Sequence, residues 1–299
     1  MNKRHKGVLA LAVFFLFCLW QPYAKADDGM EDRIMTIPVG DLNILSVRDA
    51  DGAMESSLLP ELHKYPELKG YFARGPLPSV CNVYYFENGG HRVLVDSGWG
   101  SGQGVKGHAV EALAARGIEP ASITDILLTH LDSDHIGGLT SGDEAVFPNA
   151  TLHVSAPEWD AWQKGNVQRR APDKIDRARK LAGIYRDRIK TFQFGSEVLP
   201  GVKAVNAIGH TPGHTAFDIV SGKDKLTIAG DLLHIAKVQL MRPELSSLYD
   251  MDMPEAARAR QRLLEEAAND GREFAGMHFG AVSPVKAMPS GGFAMREAR

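Results

Sequence analysis

Four side chains able to hold a metal ion stand within six positions: His130, Asp132, Asp134 and His135. They lie in the run Thr129-His130-Leu131-Asp132-Ser133-Asp134-His135-Ile136-Gly137-Gly138. The run follows an apolar stretch over residues 125–129 that reads as a buried strand, and a buried strand end is the rigid support a metal site needs. A helix face does not account for donors at i, i+2 and i+4, and an apolar interior would not take two unpaired carboxylates. The competing interpretation is a solvated polar turn. Three later segments also end a strand on a donor. Gly209-His210-Thr211-Pro212-Gly213-His214-Thr215 follows one strand, Ala229-Gly230-Asp231 closes a hairpin, and Ala275-Gly276-Met277-His278 ends the last strand. Imidazole and carboxylate donors together suit zinc and its first-row neighbours. No G-x-S-x-G run is present, so serine hydrolysis has no local support.

The elements that must position these donors are short. Residues 34–39 and 42–47 read as a hairpin about Gly40-Asp41, and 80–87 with 92–95 as a second about Asn88-Gly89-Gly90. Residues 49–79 are long for a connection without structure, which points to a functional loop or a short-helix insertion. Further strands are expected at 151–155, 202–208, 216–221, 225–229 and 273–277. Helices are expected at 105–116, 157–164, 173–188 and 254–269, the third of them a charged helix with a solvated face. Internal repeats, low-complexity tracts and a dividing linker are absent from the sequence. Strands and helices in clusters, with polar loops at strand ends, predict a layered α/β or α+β domain.

The 299 residues are 44% hydrophobic and 24% charged, ordinary globular values that exclude disorder and a disulfide miniprotein. Residues 1–26 read as a secretory signal: a basic start, an apolar run of 13 residues over 8–20, and Ala24-Lys25-Ala26 as the cleavage pattern. The run is short for a membrane span. These residues hold four bases and no acid, so the remaining 27–299 carry 30 bases and 37 acids, a net −7. An acidic body has no overall electrostatic attraction to nucleic acid or anionic lipid. Of the two cysteines, only Cys81 would remain after cleavage, and it reads as a small buried hydrophobe.

Together these segments resemble the metallo-β-lactamase superfamily, whose signature is H-x-H-x-D-H-x-G-G, then a T-P-G-H loop, a bridging Asp and a last His. The likeness spans about residues 80–280. Ala229-Gly230-Asp231-Leu232-Leu233-His234 with Val238-Gln239, the helix carrying Arg260-Gln261-Arg262, and Met277-His278-Phe279 resemble the branch of methyl parathion hydrolase and the N-acyl-homoserine lactonases. The resemblance implies a four-layer αβ/βα sandwich, here one hydrolase domain over 27–299, with a dinuclear site at one edge. It implies that His130 and His214 bind one metal, that Asp134, His135 and His278 bind the second, and that Asp231 bridges them. It also implies that Asp134 holds the nucleophile, and that Asp96 orients His135 or a nearby loop. His210 and His234 would support the ligands from behind. Gly137, Gly138 and Gly213 would let the backbone pass close to the site. Trp99, Phe72, Phe279, Leu240 and Met241 are candidates for an apolar pocket beside it; ordinary packing is the simpler role for each. His63, His91, His108 and His153 have no partners in spacing.

Asp132 departs from the signature, which has His there. It remains a ligand of the first metal, or leaves a one-metal site, or marks a degenerate protein. As a ligand it brings the carboxylates to three, with Asp134 and Asp231. That predicts a less electrophilic first metal and a pull toward harder ions. The expected cofactors are therefore two divalent ions, zinc first, with manganese or iron admitted by Asp132.

The function expected is a periplasmic or secreted hydrolase of a small ester, lactone or phosphotriester that uses a metal-bound hydroxide. The alternative is a non-catalytic or weakly active metal- or ligand-binding protein retaining the fold. A β-lactamase ranks lower because of Asp132. The expected partner is a small-molecule substrate, without nucleic acid and without stable membrane association after signal cleavage. A homodimer stays open.

Overall fold

Short runs of alternating apolar residues build two β-sheets that pack face to face. The computed structural model describes residues 21–22, 29–101, 104–280 and 282–296. The segment 1–26, expected to be a secretory leader, therefore lies outside the described residues, except that Gln21–Pro22 pair with Gly52 and Ala53.

The first sheet has eight strands. Gln21–Pro22 and β1 (Ile34–Val39) both pair with the long β2 (Leu42–Met54). The sheet continues through β3 (Leu77–Asn88), β4 (His91–Val95), β5 (Asp125–Leu127), β6 (Thr151–Ser155) and β7 (Ile189–Phe192). From β4 to β7 the strands run parallel, and before that antiparallel. The second sheet has six strands in sequence order: β8 (Glu197–Leu199), β9 (Val202–Asn206), β10 (Thr215–Ser221), β11 (Asp224–Ile228), β12 (Glu273–Ala275) and β13 (Ser283–Pro284). Its single parallel pair is β11 with β12.

Inner faces supply the central core: Tyr84, Phe86, Val95 and Leu127 of the first sheet meet Val202, Phe217 and Ile228 of the second, all buried. Three helices cover the outer face of the first sheet, α1 (Ala109–Ala115), α2 (Ala156–Lys164) and α3 (Pro172–Tyr185). One covers the second sheet, α4 (Met253–Asp270), through Ala259, Leu263, Leu264 and Ala267. Its start is fixed by Asp252, whose side chain accepts from the Glu255 N–H at 3.0 Å, and its end by Gly271 in the left-handed region. The result is the four-layer αβ/βα sandwich. Among the described residues no helix is long and apolar enough to cross a membrane.

Two local features differ from the sequence expectation, and one open alternative is decided. Strand β2 runs on to Met54, because β3 pairs with it past a register shift between Arg48 and Ala50. Between β2 and β3, short 3-10 turns within 56–72 bury Leu58, Leu59, Leu62 and Leu68 against Trp99, Ile235 and Leu245, so the segment is the short-helix insertion of the two readings. The charged helix α3 stops at Tyr185, where Arg186 adopts φ 44, and the strands β7 and β8 that follow have no counterpart in the sequence reading.

Candidate metal centre

Strands β4, β5, β9, β11 and β12 all end at one edge of the sandwich, and each is followed by a loop carrying one or more polar side chains of the site. Main-chain hydrogen bonds tie these loops together. Ser97 N–H donates to the His135 carbonyl at 2.8 Å, Thr215 N–H to that of Thr129 at 2.9 Å, and Met277 N–H to that of Gly230 at 3.2 Å. The donors after β5 are split between the strand extension and a one-turn helix, Ser133–Ile136, which carries Asp134 and His135. After it, Gly137 and Gly138 lie so close to residues 97–99 that a Cβ on either would overlap the Trp99 or Ser97 carbonyl.

Two donor groups result. His130, Asp132 and His210 form one, and Asp134, His135, Asp231 and His278 the other, with ligand atoms in each within 4.8 Å of one another. Asp231 stands between them. Its Oδ1 is 3.1 Å from His135 Nε2, and its Oδ2 is 2.9 Å from His278 Nε2, 3.4 Å from His210 Nε2 and 3.8 Å from His130 Nε2. Asp231, His210 and His234 make a third, overlapping group.

The tautomers follow from what lies behind each ring. His135 Nδ1 donates to Asp96 Oδ2 at 2.6 Å, His210 Nδ1 to Asp250 Oδ1 at 3.1 Å and His278 Nδ1 to the Val80 carbonyl at 3.1 Å. His130 Nδ1 donates to Thr129 Oγ1 at 3.0 Å, because that hydroxyl gives its own proton to Asp96 at 2.7 Å. Holding the proton on Nδ1 leaves the Nε2 lone pair facing inward, the arrangement that metal-ligating imidazoles adopt. The Nε2 atoms of His130, His135 and His210, together with Asp231 Oδ1, are buried without a hydrogen-bond partner. Such orphaned donor atoms are costly unless something occupies the space between them, so the residues present fit a pair of divalent ions.

Electrostatics agree. Burial disfavours charge on every ring here. Even so, Asp231 and Asp134 raise His135 well above its usual value, Asp132 and Asp250 raise His210 to about 9, and Asp231 raises His278. The carboxylates thus create a demand for positive charge, which a divalent cation meets.

Two histidines of the loop after β9 differ in their surroundings. His214, expected as a ligand, has Nδ1 donating to the Ala207 carbonyl at 2.8 Å and Nε2 accepting from the Asp231 N–H at 3.0 Å. Burial and then the neighbouring His210 push it down to about 3, which keeps the ring neutral. His210, expected behind the ligands, stands with His130 and Asp132. His234, also expected behind the ligands, has neither ring nitrogen hydrogen-bonded and faces Asp231 Oδ2 at 3.3 Å. Its main chain is fixed by Gln239, whose side-chain oxygen accepts from the N–H groups of His234 and Ile235.

Asp132 is not alone either. The Arg170 guanidinium grips both its oxygens, with Nε to Oδ1 at 2.5 Å and Nη2 to Oδ2. Burial opposes ionisation of Asp132, but Arg170 and then His130 and His210 hold its carboxyl well below the usual range.

Sequence reasoning also missed the supports. Glu158 on α2 is fully buried, and its carboxylate accepts from Leu131 N–H at 3.0 Å, Thr211 Oγ1 at 2.7 Å and Gly213 N–H at 2.8 Å. It also accepts from Trp162 Nε1 at 2.7 Å, and that apolar neighbour one turn on was the available signal. Asp250, behind His210, forms a buried pair with Arg260 at 3.3 Å.

The centre opens into a cleft with Met54, Trp99, Leu248 and Tyr249 on its walls and Arg169, Arg170 and Lys174 on its basic side. A larger apolar cavity, walled by Leu240, Met241, Phe279 and Phe293, adjoins it and shares His234 and His278. Phe72 lines neither and packs with the 3-10 turns. Away from the centre, His91 and His153 flank Asp125, and His63 and His108 bond locally.

Comparison with known proteins gives the same picture. The family model described as Metallo-beta-lactamase superfamily matches residues 76–278. A probable metallo-hydrolase of Mycobacterium tuberculosis is 29% identical over 227 residues, covering 65% of this chain and 67% of its own. Among solved structures, the hydrolase AbOPH, described as in the beta lactamase superfamily, superposes with a TM-score of 0.79 at 26% identity, over 89% of this chain and 97% of that one. AidC, described as a dizinc quorum-quenching lactonase, gives 0.79 at 24% identity over the same shares and so shows the fold.

Proposed function

This chain belongs to the metallo-β-lactamase superfamily and is a metallo-hydrolase, and from that premise we propose that it hydrolyses a small lactone, ester or phosphotriester with two divalent ions. The observation that carries this reading is the pair of adjacent donor groups, with Asp231 standing between them, at the floor of an open cleft. When bound, such a metal pair supplies an acidified water as nucleophile and a Lewis acid for a carbonyl or phosphoryl oxygen. Asp134, the most exposed of the three carboxylates, lies where it can hold the nucleophile and accept its proton. Trp99, Met54 and Tyr249 shield the reacting centre, and Arg169 and Lys174 favour a group that becomes anionic on hydrolysis. The apolar cavity beyond His234 and His278 suits a substrate with an apolar tail. AidC, with an N-acyl-homoserine product bound, supports the lactone end of the range.

The leader pattern over residues 1–26 supports export to the periplasm or the medium, and a mature terminus at Asp27 found by mass spectrometry tests it.

The test of activity is a panel of lactones, aryl esters, phosphotriesters and β-lactams assayed with zinc, manganese and iron in turn. Turnover of a lactone or ester that is lost in Asp231→Ala supports the proposal. Two tightly bound metals with no turnover on any of them would favour a binding protein.

A further inference from the structure

The position at which this chain departs from its family signature is also the position at which a buried arginine arrives. Arg170 sits in the loop between α2 and α3, with its side chain 6% exposed. Each of its three nitrogens is engaged with the protein: Nε and Nη2 hold Asp132, and Nη1 donates to the Tyr249 carbonyl at 3.1 Å. Two of these three bonds go to Asp132, so the arginine acts on that carboxylate. The loop is built to deliver it. Arg169, the preceding residue, takes φ 63, a conformation few side chains adopt, and its own Nη1 donates to the Asp250 carbonyl at 3.2 Å. The loop is thus strapped to the segment that also holds His210.

The chemistry is a matter of charge. A histidine at 132 would be a neutral ligand. Asp132 brings one negative charge, and Arg170 returns one positive charge in bidentate contact, the strongest geometry for such a pair. Asp132 Oδ2 still lies 3.5 Å from His130 Nε2 and 3.3 Å from His210 Nε2, so it points into the first donor group while it is held.

We propose that Arg170 is a positioning residue that makes Asp132 the equivalent of a neutral ligand. The pair gives the first metal position the net charge of an all-histidine set and keeps it suited to zinc. The pull toward manganese or iron expected from Asp132 alone is thereby cancelled. The inference rests on the two-metal reading above.

The test is metal content by mass spectrometry and metal affinity by chelator competition, with zinc and with manganese, on the full chain. The proteins are the wild type, Asp132→His, Arg170→Gln and the double variant. The wild type binds two zinc ions and prefers zinc at both positions. Asp132→His alone leaves the guanidinium uncompensated beside the metal and weakens the first position by about tenfold or more. The double variant recovers to within roughly threefold of wild type, the mark of coupled residues. Arg170→Gln moves the zinc-to-manganese preference at the first position about tenfold toward manganese. Equal zinc affinity for Asp132→His and the double variant, or an unchanged preference in Arg170→Gln, overturns the proposal. Fewer than two zinc ions on the wild type overturns the two-metal reading instead. Should Arg170→Gln not fold, Arg170→Lys keeps the charge without the fork. It is expected to hold the preference for zinc with weaker binding, and a preference moved to manganese would count against the charge argument.

Discussion

His210 and His214 stand four residues apart in one loop, and only their partners tell them apart. His210 has a carboxylate behind its Nδ1 and nothing bonded at Nε2, whereas His214 is bonded at both nitrogens. His210→Ala should therefore lose the first metal equivalent. His214→Gln should keep both equivalents and lose about 1–3 kcal/mol of stability from its buried hydrogen bonds. Metal analysis alongside urea melts checks this, and a His214→Gln protein short of one metal would reverse the assignment. The sequence displays both histidines equally, because a ligand is defined by the direction of its free lone pair. Arg170 was illegible for a related reason. It lies 38 positions from Asp132, in a stretch without periodicity, and only the folded loop brings the two charges together. His130, Asp134, His135, Asp231 and His278 were legible because each follows a recognisable apolar strand and no nearby residue competes for its place.

Elements place these residues through a few buried clamps, and Glu158 is the main one. A single carboxylate on α2 holds the loop after β5 through Leu131 and the loop after β9 through Thr211 and Gly213. Glu158→Ala strands these donors in the interior, and a cost of about 2–5 kcal/mol is expected. First-position metal affinity should fall with it, since His130 and His210 are on the two loops it joins. Stability by denaturant melts and zinc affinity by competition check both effects. Loss of stability with unchanged zinc affinity would show that the loops are held elsewhere. A second clamp lies at the far end of β5. Asp125 accepts from His153 Nε2 and His91 Nδ1, both at 2.7 Å, joining β4, β5 and β6. Burial opposes ionisation of Asp125, but the hydrogen bonds from His153, His91 and Thr124 hold it well below the usual value. A carboxyl lowered in the folded state stabilises above its unfolded value, about 3.9, and loses that contribution as pH falls below it. The deficit of Asp125→Asn should be steady from about pH 7 to 5 and narrow below about pH 4, by urea melts at each pH. A deficit that persists unchanged in acid would mean that packing, not charge, carries it. Most strands and helices were legible from alternation, glycine stops and turn dipeptides. β7 and β8 were not, because the helical pattern of α3 runs on past Tyr185 in the sequence, and only the backbone of Arg186 breaks it.

At the scale of the whole molecule, the sandwich is asymmetric in what it buries. Its centre is apolar from both sheets, while one edge concentrates Asp96, Asp132, Asp134, Asp231 and Asp250 with six histidines around them. Those loops come from both sheets, so their mutual repulsion is felt by both layers at once. Two divalent ions convert that repulsion into cross-links between the sheets, and only the folded chain can offer both donor groups. Metal binding is therefore part of the stability of the entire fold. Free metal at a hundred times its dissociation constant would add about 2.7 kcal/mol for one site, which in a domain of this size is roughly 5–10 °C in Tm. Chelation should lower Tm by at least that amount, and returning zinc should restore it. The two sheets should melt together in both states, since near-UV signals from Trp99 at the cleft and Trp162 beneath Glu158 report on the same loops. Asp231→Ala, which removes the shared donor, should show a much smaller shift on chelation. Complete metal removal with no change in Tm would mean that the edge is held by its protein clamps alone, with Arg170 and Arg260 sufficient to balance the buried charge and Glu158 to hold the loops.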